Sequence, residues 1–310
     1  MRPVVSSSAP ASASRSAGSP ARTSRRTSGG ARRGAGGPGV RVSRLERAAD
    51  DGYRSPLAPG LRSRADAERL ATELAFAAGR LGQLATSPPG LYAEVADPQG
   101  DVEERAWLAF LIAYLCPLEG DDPFAAISEV RTTWASGAAP ELDGVATGPR
   151  TAHDPSRGTR TLDAYRAWAR RAGSQARAYG GEPEWTAERR FARAFERLAL
   201  PGLHRDARFD LLATLGYLRV SELQAGTLAL GGSDDVTLAA KRAFGIGDAM
   251  LLERRAEQLA QACVVPLAAL DLGLYNWDRP AESARATLGL APDDEADSAA
   301  LDSAGRALSL

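Results

Sequence analysis

The sequence predicts an all-α protein, and two observations lead to this prediction. Apolar side chains recur at the three- and four-residue spacing of an α-helix over most of the chain between residues 65 and 277. No run of alternating β-branched residues marks a strand. With 310 residues, 44% of them hydrophobic, the chain can bury one good core or two small ones.

The first predicted helices lie in the N-terminal half. Residues 65–85 alternate charged residues with Ala and Leu at helical spacing and stop at the Ser-Pro-Pro-Gly sequence of residues 87–90. Residues 102–115 place aromatic and aliphatic side chains on one face, which is typical of an amphipathic helix. Pro117 ends that helix, and a capped helix is expected over 123–134.

The second half of the chain continues the helical pattern. Residues 137–158 are rich in Gly, Pro and Thr and predict a long loop. The helices expected after it share an apolar stripe at helical spacing, and they cover residues 162–179, 186–199, 205–217, 234–244, 248–263 and 266–277.

Composition divides the chain into three parts. Residues 1–56 are rich in Arg, Ser, Gly and Ala with almost no large apolar side chains, so we expect a disordered arm. Residues 57–280 form the predicted helical domain, and residues 281–310 are expected to be a flexible acidic tail. Three explanations of the arm stay open: a nucleic-acid-binding segment, an organellar transit peptide, or a start codon assigned too far upstream.

The scarcity of certain residues excludes several classes of protein. The two cysteines, Cys116 and Cys263, do not provide a disulfide framework or a Cys-rich metal site. The two histidines, His153 and His204, argue against a His-based metal cluster. No stretch of 18 apolar residues predicts a membrane span. We therefore expect a cytoplasmic protein, in bacteria one associated with the nucleoid, that needs no metal or cofactor.

The most informative motif lies between two predicted helices, at residues 241–248. Gly245 and Gly247 allow a sharp turn with positive φ, and Ile246 is placed to anchor the turn in the core. Asp248 stands where the N-cap of the next helix belongs. Backbone N–H groups at such a helix start form a seat for an anion such as a DNA phosphate. The motif predicts a helix–hairpin–helix that contacts the DNA backbone, and the alternative is a simple turn after a glycine-capped helix.

The segment from residue 189 to 277 resembles the helix–hairpin–helix DNA glycosylase superfamily. The similarity is closest to a divergent group associated with base hypermodification, the thymine pyrophosphorylase-like proteins. The segments that carry the resemblance are Arg190-Phe191, Leu200-Pro201-Gly202 and residues 211–216, 239–248, 251–256 and 270–277.

The resemblance implies a catalytic carboxylate downstream of the hairpin. Asp271 lies 24 residues after Gly247 and is the nearest match to the family's catalytic Asp. In that role its charge would stabilise a cationic sugar or activate a water molecule. Ala249 and Met250 occupy the region where bifunctional members carry a Lys, so β-lyase chemistry is not expected. Phe244 replaces the hairpin proline, and these departures from the family's pattern argue against ordinary repair glycosylase activity. The alternative is that Asp271 faces solvent on a helix surface.

Five arginines predict a nucleic-acid groove beside the hairpin. Arg189, Arg193 and Arg197 lie four residues apart on one helix face, and Arg205 and Arg208 follow on the next predicted helix. The alternative is a solvated face whose arginines pair with neighbouring glutamates.

These observations lead to one main functional hypothesis and two alternatives. The main hypothesis is a glycosylase-like DNA-binding protein that acts on a modified base, flipped out of the duplex, by N-glycosidic or base-displacement chemistry. The first alternative is a catalytically inert helix–hairpin–helix module that binds DNA. The second is a helical scaffold that binds other proteins.

Overall fold

The computed structural model describes residues 49–280, 283, 285–291 and 294–310, with the backbone alone at residues 294–297. These residues contain helices and loops without a strand, which confirms the all-α prediction. The helices are α1 (Arg64–Thr86), α2 (Leu91–Ala96), α3 (Val102–Leu115), α4 (Ala125–Val130), α5 (Arg160–Ala172), α6 (Gln175–Gly180), α7 (Ala187–Arg197), α8 (Arg205–Tyr217), α9 (Asp235–Phe244), α10 (Ala249–Cys263), α11 (Leu267–Asp278) and α12 (Asp294–Leu308).

Local sequence chemistry explains where many of these helices begin and end. Ser63 caps α1 by accepting a hydrogen bond from the backbone N–H of Asp66 at 3.1 Å. Asp101 caps α3 in the same way. The single helix expected over 162–179 is two helices, α5 and α6, because Gly173 adopts a φ of 91° and ends the first of them.

The helix expected over 123–134 is shorter than predicted, because α4 ends at Val130. The Glu104 carboxylate accepts hydrogen bonds from the backbone N–H groups of Trp134 and Ala135, at 2.6 and 2.9 Å. These bonds replace the ones that a continuing helix would make, and they hold the segment against α3.

The helices form two groups that meet along α8. In the first group α1 packs against α11 and α12, and α9 and α10 pack beside them. In the second group α3 packs against α2, α6 and α8. Since α8 also packs against α1, it joins the two groups. A stacked aromatic pair, Phe110 and Tyr165 with ring centroids 3.7 Å apart, fills the interior of the second group.

The tail expected to be flexible at residues 281–310 contains a helix, so this prediction is wrong. In α12 the side chains of Ala304 and Leu308 are fully buried and that of Ala300 is partly buried. These three residues are spaced four apart on one face of α12, the helix that packs on α1. In an acidic, Ala-rich segment these few apolar positions do not stand out as a helical stripe. Before α12, Arg285 pairs with Glu73 of α1 at 2.8 Å.

The domain also begins earlier than residue 57. The predicted arm at 1–56 lies outside the described residues up to residue 48. The segment after it is packed: Ser55 is buried, and the Asp51 carboxylate accepts from the backbone N–H of Arg64 at 2.8 Å. The hydroxyl of Tyr53 donates to the backbone carbonyl of Leu308, so this segment also contacts α12.

Composition argues against a disulfide framework, a metal cluster and a membrane span, and the described residues bear on all three. Cys116 and Cys263 are free and buried. Within the described ranges, no group of three or more His, Cys, Asp or Glu side chains is arranged to hold a metal ion. No single described helix is long and apolar enough to cross a membrane; α10 and α11 reach that length and composition only together, with a bend of 103° between them.

Candidate functional site

The hairpin between α9 and α10 has the two helix caps that the sequence predicts. Gly245 adopts the left-handed conformation with a φ of 67°, and its N–H donates to the carbonyl of Lys241 at 2.9 Å, which ends α9. The Asp248 side chain accepts from the N–H of Leu251 at 3.0 Å and begins α10. Ile246 is partly buried against the core, as expected of an anchor for the turn.

The second glycine of the hairpin differs from the prediction. Gly247 does not have a positive φ, so the turn needs only one left-handed residue. A Cβ atom added at Gly247 would meet no atom within 4 Å. A larger residue at this position is therefore not strained, and the open space beside Gly247 is available to a ligand.

The start of α10 presents free backbone donors at this open surface. The N–H groups of Leu251 and Leu252 donate to the side chain and the carbonyl of Asp248. The N–H groups of Ala249 and Met250 have no such partner in the described structure, and both residues are exposed, with Met250 80% exposed. Two unpaired N–H groups at the positive end of a 15-residue helix form a seat for an anion.

A segment from the N-terminal side, residues 56–62, lies directly against the hairpin, and we call it the strap. The N–H of Gly60 donates to the carbonyl of Ala243 at 2.9 Å. A Cβ atom at Gly60 would lie 1.8 Å from the carbonyl oxygen of Arg242, so only glycine permits this close approach. Arg255 of α10 donates to the carbonyl of Pro56 at 3.3 Å. The strap is thus bonded to both helices of the hairpin.

Asp271 lies in the interior of the domain, on α11, and is 1% exposed. One carboxylate oxygen accepts a hydrogen bond from Nη2 of Arg150 at 2.7 Å. The other oxygen forms an ion pair with the guanidinium of Arg205. The interpretation of Asp271 as a solvent-facing helix residue is therefore wrong.

Arg150 is the centre of these contacts, and its side chain is completely buried. Its guanidinium donates to both oxygens of Asp210, from Nε at 2.7 Å and from Nη2 at 2.9 Å. It also lies over the ring of Tyr275, 4.7 Å from the centroid. Arg150 belongs to the loop between α4 and α5, so the loop is held between α8 and α11 by charge pairing.

Arg205 extends the set of charges to the start of α9. Besides Asp271, it pairs with Asp206 at 3.2 Å and lies 3.8 Å from the N-cap residue Asp234. It also donates to the carbonyl of Leu228. We call the set of six side chains the Asp271 network, and its members are Arg150, Arg205, Asp206, Asp210, Asp234 and Asp271.

Burial and ion pairing act in opposite directions on Asp271. Burial raises the pKa of its carboxyl group, and the guanidinium groups of Arg205 and Arg150 oppose that shift. Desolvation also penalises the charge of Arg150, yet the surrounding carboxylates, with Asp210 foremost, hold its pKa well above the usual value. Because both arginines stay cationic, loss of the Asp271 charge would remove the most deeply buried of the carboxylates that offset their desolvation, and would leave Arg150 paired with Asp210 and Arg205 with Asp206.

Several polar atoms in and near the network have no hydrogen-bond partner. Nη1 of Arg150 is buried without a hydrogen-bond partner, and so is Nε2 of His153, whose Nδ1 is 3.2 Å from the hydroxyl of Tyr114. Such orphaned groups are rare in protein interiors, and these lie in and beside the Asp271 network. They do not open it to solvent, because Asp271 and Arg150 remain buried.

Two arginines assigned to the DNA-binding groove turn inwards instead. Arg205 is 8% exposed and belongs to the Asp271 network. The prediction that it lines an open groove is therefore wrong. Arg208 is partly buried, donates to the backbone carbonyl of Phe195 at 3.1 Å and lies over the aromatic ring of Phe195. Both face inwards because α8 joins the two helix groups and has little free surface.

The three arginines assigned from α7 are exposed, but they interact locally, and the guanidinium of Arg197 lies 5.9 Å from the ring centroid of Trp185. The guanidinium of Arg189 lies 4.8 Å from the ring centroid of Trp185. Arg193 pairs with Glu196 at 2.9 Å, one turn further along the helix. α7 packs against α6 and α8, whereas the hairpin belongs to helices that pack on α11. The role of the α7 arginines in DNA binding stays a prediction.

Arg150 and Asp210, which complete the charge pairing of Asp271, are not among the site residues predicted from the sequence. Asp210 stands within an apolar run, Phe-Asp-Leu-Leu, just as Asp271 stands between leucines. A charge within an apolar run signals a buried ion pair. Arg150 carries no such signal, because its loop is polar on both sides. Comparisons with protein-family models, with curated proteins and with solved structures find no match to this chain.

Proposed function

We propose that this protein binds DNA through the sugar–phosphate backbone, without reading base sequence, and that the hairpin at residues 245–248 is the contact surface. The observation that carries the proposal is the exposed start of α10, where two backbone N–H groups lack partners beside the open space at Gly247. A phosphate oxygen accepting from these groups gains charge-assisted hydrogen bonds and the favourable field of the helix.

The proposed activity is binding alone, because the burial of Asp271 argues against catalysis. A catalytic carboxylate has to reach the sugar of a flipped nucleotide. Asp271 is 1% exposed, and both of its oxygens face arginines of the protein. This arrangement is that of a structural ion pair holding α8, α11 and the loop of Arg150 together.

N-glycosidic chemistry at Asp271 is the second candidate function, and one observation favours it. The unpaired Nη1 of Arg150 provides a donor in a water-excluded environment, directly beside a carboxylate. Together these groups have the chemistry to hydrogen-bond a base and stabilise a cationic sugar. For this to happen, the loop of Arg150 has to move away from α11 so that a flipped base can enter.

The hairpin is tested by placing a negative side chain at the phosphate seat. The variant Gly247→Glu adds charge where its Cβ has open space and normal backbone geometry, so we expect unchanged thermal stability. The matched control is Gly82→Glu, at an exposed position of α1 that also has no atom within 4 Å of an added Cβ. Gly82 and Val264 line one cleft, so the control site lies near the end of α10 opposite the hairpin, about 20 Å away along that helix.

Binding is measured by fluorescence anisotropy on 20-bp duplexes of three unrelated sequences in low salt. We expect Gly247→Glu to weaken binding by about 10-fold or more on each duplex, the size of losing a hydrogen bond to a charged group. Gly82→Glu should bind like the wild type. Equal affinity of Gly247→Glu and wild type would exclude the hairpin, and a wild-type protein that binds none of the duplexes would contradict DNA binding altogether. Release of a base by wild type but not by Asp271→Asn would favour the second candidate.

A further inference from the structure

A cleft separate from the hairpin lies where α8, the loop that follows it and the end of α10 meet. It is open to solvent and has a volume of about 890 Å³, a size typical of small-molecule sites. The buried side chains that line it are all apolar, and they are Ala213, Leu223, Ala260, Val265 and Ala268. The cleft therefore offers an apolar floor to the body of a ligand.

The loop after α8, residues 218–226, forms part of the cleft and is fixed by backbone contacts. The backbone N–H of Gln224 donates to the carbonyl of Ala187, at the start of α7, at 3.3 Å. A Cβ atom at Gly216 of α8 would lie 2.2 Å from the carbonyl oxygen of Leu223, so only glycine lets the loop approach α8 this closely. The shape of the cleft is therefore set by the backbone.

The charged side chains that line the cleft are both negative. Glu188 comes from the first turn of α7 and Glu257 from α10, and both are exposed. Neither carboxylate forms an ion pair with a described residue, and that of Glu257 accepts a hydrogen bond from Nε2 of Gln261 at 3.2 Å. No Lys, Arg or His among the described residues lines the cleft. Because charges of one sign in a cleft attract the opposite sign, the cleft favours a cation.

Two further side chains suit an organic cation with an apolar body. Tyr217 of α8 lines the cleft, is half-buried, and its hydroxyl makes no hydrogen bond to a described residue. The face of such a ring attracts ammonium groups. Val264, which follows α10, is 78% exposed and has a left-handed φ of 57°, a conformation that β-branched residues rarely adopt. It presents an uncovered apolar side chain to the cleft.

We propose that this cleft binds an aliphatic polyamine. Its ammonium groups pair with Glu188 and Glu257, and its methylene chain covers the apolar floor. A ligand with several positive groups joined by apolar chains matches two carboxylates that two different helices bring to one apolar cleft, whereas a monoamine pairs with only one of them. The inference goes beyond the proposed function and is independent of it, because no residue of the hairpin at 245–248 lines the cleft.

The test is isothermal titration calorimetry of the full chain with spermidine, without DNA and at about 150 mM salt, which screens diffuse attraction. We expect saturable binding of one spermidine per chain. Glu188→Gln and Glu257→Gln should each weaken binding by about 3-fold and the double variant by about 10-fold, the size of losing exposed ion pairs. Since both residues are exposed, the melting temperatures without spermidine should equal that of the wild type.

The matched control is the double variant Glu129→Gln/Glu184→Gln, which removes the same charge at exposed positions outside the cleft and should bind spermidine like the wild type. Equal weakening by the two double variants would show diffuse attraction to an acidic surface and would overturn the proposal. An absence of saturable binding by the wild type would overturn it as well. Butylamine, which has one ammonium group, should bind more weakly than spermidine, and equal affinity would contradict pairing with both carboxylates.

Discussion

Replacing Asp271 with Asn should destabilise the fold strongly, whatever its effect on activity. Asparagine keeps the shape of the side chain but removes the charge between Arg150 and Arg205. Removing one partner of a buried ion pair costs about 3–5 kcal/mol, because the remaining charge stays desolvated. In a domain of this size each kcal/mol lowers the melting temperature by about 2–4 °C. We therefore expect a decrease of roughly 6–20 °C.

Circular dichroism melts of matched variants measure this effect. Asp143→Asn removes a charge from an exposed loop position and should melt within about 1–2 °C of the wild type, as surface changes usually do. The double variant Asp271→Leu/Arg205→Met removes one anion and one cation and keeps the Arg150–Asp210 pair. It should be more stable than Asp271→Asn, since a buried anion and a buried cation are removed together. A melting temperature for Asp271→Asn equal to that of the wild type would refute the structural role of this carboxylate.

Three further predictions concern other parts of the fold. Gly60→Ala puts a methyl group 1.8 Å from the carbonyl oxygen of Arg242, so we expect the strap to detach and limited proteolysis to cut within it. A strap that resists cleavage in this variant would contradict the close contact between Gly60 and α9. Burial raises the pKa of the Cys116 and Cys263 thiols to about 12 from 9.0. As the pH rises above 9, the unfolded chain loses these protons before the folded chain does, so the free energy of unfolding should fall by about 1.4 kcal/mol per pH unit for each thiol. In Cys263→Ala, which has one of these thiols fewer, the free energy of unfolding should fall less steeply with pH. Leu308→Ala should cost about 2–5 kcal/mol in urea unfolding, because the side chain is fully buried, and a loss below about 1 kcal/mol would mean that α12 does not pack on α1.

The helices predicted most accurately are those with a long apolar stripe and a local start or stop signal. The bounds of α3 and α8 match the predicted 102–115 and 205–217. The six-residue helix α2 was missed because it is too short to show periodicity. In α12 the buried positions are mostly alanines, which do not stand out in an Ala-rich segment. Helix formation there depends on contact with α1, which is a tertiary effect.

The same distinction holds for the candidate site. The caps at Gly245 and Asp248 were predictable because a left-handed residue and an N-cap depend on neighbouring residues alone. The pairing of Asp271 with Arg150 was not predictable, because Arg150 is 121 residues away along the chain, in a loop. Local sequence indicates that a buried carboxylate needs a cation, but it does not indicate which of the many arginines provides it.

The packing of α12 against α1 has a consequence for how the chain folds during synthesis. α1 is synthesised well before its packing partners α11 and α12, and the contact between Tyr53 and Leu308 spans 255 residues. At about 5–20 residues per second, the apolar face of α1 stays uncovered for roughly 10–40 s. Until α11 and α12 are made, the apolar face of α1 is open to contact with other chains, and we expect expression to respond to holdase chaperones that shield exposed helices.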